Sequence, residues 1–157
     1  MKDILFVCTG NTCRSSMAEA LFKDMISEVD NDLGDVKVHS AGVFAVEGQG
    51  ASPQAVEVME ARGIELSDHK SKMITKELIK QTDLILTMTL RHKNLVLDID
   101  SEAKNKVYTL KEYAYSGDEG LLDITDPFGQ TVERYEETAK EIKEALKKVL
   151  DKLQNTD

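Results

Sequence analysis

Residues 8 to 15 read CTGNTCRS, and they hold both cysteines of the chain beside an arginine. The stretch follows ILFV and precedes SMAEALF, so a short buried strand leads into it and an amphipathic helix leads out. A loop of that kind gathers backbone N–H groups, the helix dipole adds positive potential, and the two together attract an anion. Gly10 lets the backbone come close to a ligand. Arg14 brings a planar fork of donors matched to phosphate oxygens. The same field favours the thiolate form of Cys8, which is the nucleophilic form. The C-x5-R spacing therefore predicts a loop curled round a tetrahedral anion, with Cys8 beneath it and Arg14 on the outer oxygens. Catalysis of phosphoryl transfer is largely positioning and electrostatic stabilisation, which such a loop can supply.

A nucleophile of this type needs a proton donor for the leaving group, best placed on an exposed loop. The segment DITDPFGQ offers Asp126 and, three residues earlier, Asp123. Spacing alone leaves both open. Pro127 and Gly129 mark a loop, and Phe128 can wall a pocket, although Asp-Pro followed by Gly is also an ordinary turn. Zinc would want four ligands, and His39, His69 and His92 are scattered without ligand spacing. The nucleotide-loop pattern G-x4-G-K-[ST] is absent from the turn. Neither a metal nor a cofactor is expected.

The elements that must position these groups alternate. Ile4 to Val7 suits a strand buried on both faces. Ala18, Leu21, Phe22, Met25, Ile26 and Val29 recur at helical spacing, and Asn31 to Asp35 breaks the helix. Val36 to His39 reads as a second strand and Ala41 to Ser52 as a loop. Pro53 opens a helix with Val56, Met59 and Val58 as candidates for its apolar face, and Gly63 ends it. A short helix over 75–80 leads into DLILTM as a third strand, a helix over 90–97 follows, and KVYTL is a fourth strand. A last helix over 131–153 carries Tyr135, Ala139, Ile142, Leu146, Val149 and Leu153 in one stripe, with its Lys and Glu residues on a solvated face. Such alternation predicts an α/β fold with a parallel sheet and right-handed crossovers, as one domain over 1–157 without repeats or linkers.

With 41% hydrophobic and 31% charged residues, the chain reads as a globular protein rather than a disordered one. Its net charge of -9 opposes general nucleic-acid binding, which depends on neutralising phosphates, but leaves room for one phosphorylated group in a locally positive pocket. No apolar run approaches the ~20 residues of a membrane span. The start, MKDILFVC, lacks the apolar stretch and cleavage site of a signal peptide. A cytosolic protein with free thiols is expected.

On these motifs the sequence resembles the low-molecular-weight protein tyrosine phosphatases. VCTGNTCRSSMAEALF is similar to their opening motif, and SAG at Ser40 to Gly42, DHKS at Asp68 to Ser71 and Asp126-Pro127 also have counterparts there. The resemblance covers essentially the whole chain. It implies a flavodoxin-like, three-layer fold with four parallel strands, Cys8 as nucleophile, Arg14 as phosphate-binding arginine and Asp126, not Asp123, as general acid. It implies that Ser15 stabilises the thiolate, that Asn11, Ser40 and His69 hold the loop shape, and that Cys13 traps an oxidised Cys8 as a disulfide. Two departures from the tyrosine-directed members point elsewhere. Thr12 replaces a bulky aliphatic residue, and Phe128-Gly129 replaces paired aromatics. GNTCRS with DPFG looks more like the branch that acts on phosphoarginine in proteins. A Thr hydroxyl can meet guanidinium N–H groups or orient the attacking water, whereas an aliphatic group would leave a polar group unpaired at about 1–3 kcal/mol. Phosphorylated proteins are the expected partners, nucleic acid and membranes are not, and a monomer is expected. A tyrosine phosphatase is the alternative. An arsenate reductase usually needs a third cysteine, and a pure binding module has no use for Cys8 and Asp126 together.

Overall fold

The computed structural model describes residues 3–29, 35–115 and 122–155. Its sheet has four parallel strands, β1 (Asp3–Cys8), β2 (Lys37–Gly42), β3 (Leu84–Thr87) and β4 (Val107–Thr109), in the order β2-β1-β3-β4. The helices are α1 (Arg14–Ser27), α2 (Pro53–Glu60), α3 (Lys76–Gln81), α4 (Leu90–Ile99), α5 (Leu110–Ala114) and α6 (Val132–Asn155), with a 3-10 turn over Ser101–Asn105. This is the flavodoxin-like, three-layer arrangement. After β1 the chain first adds β2 on one side and then β3 on the other, so the strand order reverses at β1. In open α/β sheets that reversal opens a crevice outside the carboxyl ends of the strands, and CTGNTCRS leaves β1 at that point.

The sheet is buried on both faces, which explains the unbroken apolar run of β1. Ile4, Phe6 and Cys8 point into a core shared with α1, α2, α5 and α6, while Leu5 and Val7 point into a second core with α3 and α4. Phe6 meets Phe22 of α1 edge-on, with ring centroids 5.8 Å apart. Burial of a side chain of this size contributes about 1.5–3 kcal/mol. The six apolar positions expected on α6 are all buried. No helix among the described residues is long and apolar enough to cross a membrane.

Several boundaries differ from expectation. Strand β2 continues through Ala41 and Gly42, pairing with Val7 and Cys8, so the loop begins later than its small residues suggested. Val58 and Met59, with Ala55, are the buried positions of α2, and Val56 is half-buried. Leu110 belongs to α5 rather than to β4. Thr109 and Glu112 form a reciprocal capping box there, in a T-L-K-E pattern that marks a helix start. Of the break expected over 31–35, only Asp35 lies within the described residues.

Candidate active site

Cys8 ends β1 and Arg14 begins α1, so the five residues between them must turn the chain within a few ångströms. The turn closes round the Cys8 sulfur. Asn11 N donates to Sγ at 3.2 Å, and Ser15 Oγ lies 2.9 Å from it. Helix α1 starts without a side-chain cap and without an acidic residue in its first turn. Its first N–H groups, which have no intrahelical acceptor, are left for an anion.

Asn11 carries the strain of the turn. Its φ is +60°, in the left-handed region where a short polar side chain can compensate by bonding locally. Its Nδ2 hydrogens go to Ser15 Oγ and Ser40 Oγ, each at 2.9 Å, and its Oδ1 accepts Lys72 N at 2.9 Å. Having accepted from Asn11, Ser15 has its own proton free for the Cys8 sulfur. His69 Nε2 lies 2.6 Å from Asn11 O; a carbonyl only accepts, so Nε2 carries the proton. Ser40 donates onward to Glu19, four residues beyond Ser15 and on the same face of α1. The residues expected to support the loop thus converge on one asparagine.

Gly42 matters more than its place in SAG suggested. A Cβ there would sit 2.4 Å from Thr9 O and 3.0 Å from Asn11 N, so the end of β2 presses directly on the loop. At Gly10 a Cβ would meet only Thr12 Oγ1, at 3.7 Å. Packing within the chain therefore does not by itself require a glycine at position 10.

Arg14 is buried. Its Nη1 donates to Ile124 O at 3.1 Å and its Nη2 lies 3.6 Å from Asp126 Oδ2. Asp126 is 56% exposed and accepts Phe128 N at 3.1 Å through its other oxygen. The two acids that spacing left open now separate. Asp123 accepts Leu90 N at 2.8 Å at the start of α4, while Asp126 faces Arg14. A cavity of about 280 Å³ is walled by Cys8, Thr12, Cys13, Arg14, Asp126 and Phe128. The larger cavity, about 630 Å³, lies behind the loop against Glu19, Ser40 and His69; Cys8 does not line it.

The Thr12 hydroxyl makes only a loose 3.8 Å approach to the Cys13 sulfur. Cys13 Sγ lies 3.2 Å from the buried hydroxyl of Tyr135, and both cysteines are free thiols. Burial pushes the Tyr135 hydroxyl up to about 12, so it stays protonated.

Sequence reasoning missed Thr9, Gln49 and His92. Thr9 and Gln49 line the cavity, and His92 Nε2 lies 2.8 Å from Thr9 Oγ1. Burial lowers the His92 pKa to about 4, helped by the positive charges of Arg14 and Arg91 against Asp123 and Asp126, so the ring is neutral near pH 7. Ser71, within the DHKS stretch, binds Gln49 N and Val46 O and so holds the wall that carries Gln49. Sequence reasoning also passed over Glu19, although it stands at helical spacing from Ser15; nothing local marks His92. Among the described residues no group of three His, Cys, Asp or Glu side chains could hold a metal ion.

The profile of the low molecular weight phosphotyrosine protein phosphatase family matches residues 3–157. The chain belongs to this family. As a member it is a cysteine-dependent protein phosphatase. It is 44% identical over 151 residues to a protein-arginine-phosphatase of Bacillus subtilis (strain 168), covering 96% of each chain. It is 37% identical over 139 residues to the low molecular weight protein-tyrosine-phosphatase PtpB of Staphylococcus haemolyticus (strain JCSC1435), covering 88% of this chain and 91% of that one. Among solved structures, it superposes with a TM-score of 0.89 on a mutant of the YwlE arginine phosphatase with a phosphorylated active-site serine. That pair is 42% identical and covers 98% of this chain and 97% of the other.

Proposed function

We propose that the protein hydrolyses phosphoarginine in cytosolic proteins through a phosphocysteine intermediate, as a single phosphatase domain. Cys8 Sγ attacks phosphorus as the P–N bond breaks, and Asp126 gives its proton to the departing guanidine nitrogen. Water then attacks the phosphocysteine and loses a proton to Asp126, releasing phosphate and the Cys8 thiolate. Arg14 and the loop N–H groups hold the phosphoryl oxygens through both steps, where developing charge is greatest. Ser15 and Asn11 N steady the thiolate as it leaves phosphorus. Asn11, Ser40 and His69 keep the loop in its bound shape, so little reorganisation accompanies the reaction.

The observation that carries the substrate choice is the Thr12 hydroxyl at the cavity. Thr12 faces it with a loosely engaged hydroxyl, which suits a leaving group rich in N–H donors. Relatives named protein-arginine-phosphatases support the same reading. The deciding experiment compares kcat/KM on phosphoarginine and phosphotyrosine peptides of matched sequence. Phosphoarginine should be preferred, and a clear preference for phosphotyrosine would overturn the assignment. Phosphotyrosine is the second reading, favoured by Phe128, whose side chain is 70% exposed at the rim and can stack on a phenol ring.

Cys13 adds redox protection in this reading. Peroxide oxidises the Cys8 thiolate to a sulfenic acid, the Cys13 thiol attacks that sulfur, and water leaves as a disulfide forms. Irreversible inactivation by peroxide with Cys13 intact would sink the idea.

A further inference from the structure

The turn that carries Asp126 has little to hold its tip, so the aim of the acid depends on the residues at its base. Ile124 is pinned on both sides. Its N–H donates to Met88 O at 2.8 Å, just beyond β3, and its carbonyl accepts Arg14 Nη1 at 3.1 Å. On the other flank Pro127 is buried, and a residue before proline is confined to extended backbone. Thr125 lies between these fixed points, and its conformation decides where the Asp126 carboxyl group points. Thr125 N donates at 3.3 Å to Oε1 of Glu141, on α6. The other oxygen of Glu141, Oε2, accepts from Lys111 Nζ of α5. The lysine therefore fixes the carboxylate that the backbone N–H uses. Both side chains are largely shielded, 17% exposed for Lys111 and 24% for Glu141, so this pair is not one of the solvated ion pairs that hold little. Past the tip, Gln54 Nε2 of α2 donates to Gln130 O at 3.0 Å. The acid turn is thus held at its two ends.

We propose that Glu141, with Lys111 behind it, is a positioning residue for general acid catalysis: by holding Thr125 N it aims the Asp126 carboxyl group at the leaving atom of the substrate. The inference rests on the reading of Asp126 as the general acid and deepens it. Glu141 does not line the cavity that holds Cys8 and Arg14, so it meets neither substrate nor nucleophile. It lines a separate cavity of about 270 Å³ between the acid turn and α6, together with Thr125, Asp126 and Pro127. Its influence on the reaction therefore runs through the backbone of Thr125. A general acid must come within hydrogen-bond reach of the atom it protonates, and a small misplacement is costly. The effect is confined to the step in which the leaving group takes a proton. A leaving group that departs readily as an anion does not depend on Asp126, and so does not depend on Glu141.

The test compares phenyl phosphate, whose leaving group needs a proton, with 4-nitrophenyl phosphate, whose phenolate departs without one. The measured quantity is kcat/KM, which reports transfer to Cys8 even where hydrolysis of the phosphocysteine limits kcat. Asp126→Asn sets the scale and should slow phenyl phosphate far more than 4-nitrophenyl phosphate. Glu141→Ala should show the same pattern at smaller size. The loss should be about tenfold on phenyl phosphate, the size of one lost hydrogen bond, and under about twofold on 4-nitrophenyl phosphate. Glu141→Gln keeps an acceptor for Thr125 N and should recover most of the loss. Lys111→Met keeps the Glu141 carboxylate but frees it, and should fall between. In the Asp126→Asn background Glu141→Ala should cost nothing further, since both act on one proton transfer. Equal losses on the two aryl phosphates, no loss on either, or additive losses in the double variant would overturn the proposal. Should Glu141→Ala fail to fold, Lys111→Met decides by the same ratio. An Asp126→Asn variant that slows both aryl phosphates equally would instead remove the general-acid reading, so the two failures are told apart.

Discussion

The two sides of the cavity are held in opposite ways. On the Cys8 side, every polar group of Asn11 has a partner, the sulfur has two, and Gly42 presses the loop from behind. On the Asp126 side, the acid is more than half exposed, Phe128 stands in solvent, and the turn is closed by a single Asp126–Phe128 contact and the Gln130–Pro127 hydrogen bond. The difference fits the chemistry proposed for each side. A loop that stabilises a dianionic phosphoryl group works best when its donors are already aimed, because reorganising them would add to the barrier. A general acid has to admit a protein-borne substrate before it closes over the leaving group, so heavy bracing would obstruct entry.

Substitutions can break that contrast in order of expected effect. Cys8→Ser should lower turnover by on the order of 10⁴-fold or more, because a hydroxyl is a far weaker nucleophile than a thiolate at neutral pH; single-turnover assays would show the loss, and near-normal rates would remove Cys8 from the mechanism. Asp126→Asn should cost roughly 10³-fold in kcat while thermal unfolding barely moves, as expected for an exposed side. A large fall in stability would show that the acid side is braced after all.

Low pH probes the join between the two sides. His92 has a folded-state pKa of about 4 against an ordinary value of 6.5. The unfolded chain therefore takes up this proton first. Stability is full above about pH 6.5, declines as pH falls toward 4, and then levels off for this group. The loss is roughly 2–3 kcal/mol, it should vanish in His92→Gln, and urea titrations across that window would measure it. An NMR midpoint near 6.5 would contradict the buried neutral ring.

Asn11→Ala should lose about 2 kcal/mol of stability along with activity, since it removes the amide bonds to Ser15 and Ser40 and leaves a Cβ residue at positive φ. Chemical denaturation beside kcat would read both losses, in contrast to Asp126→Asn, which should lose activity alone. Thr12→Ile should have the smallest effect, a shift of about tenfold in the phosphoarginine-to-phosphotyrosine ratio. A constant ratio would mean that Thr12 does not choose the substrate.

Local sequence determined a large part of this protein. The apolar run of β1, the helical stripe after it and the C-x5-R spacing between them specify a strand, an anion loop and a helix, because those preferences act within a few residues of chain. The stripe on α6 was legible for the same reason. Short elements such as α5 escaped because five residues carry too little periodicity, although the Thr109–Glu112 capping pattern was present. Which distant groups meet was left to the tertiary structure. Asp126 rather than Asp123 faces Arg14 because Asp123 is taken by the start of α4. Asn11 meets Ser40 and His69, and Thr9 meets His92, because β1 lies between β2 and β3 and brings the ends of both neighbours to its own loop. Such contacts are set by strand order and by the crossovers between strands, long-range features that leave no periodic mark on the residues they join.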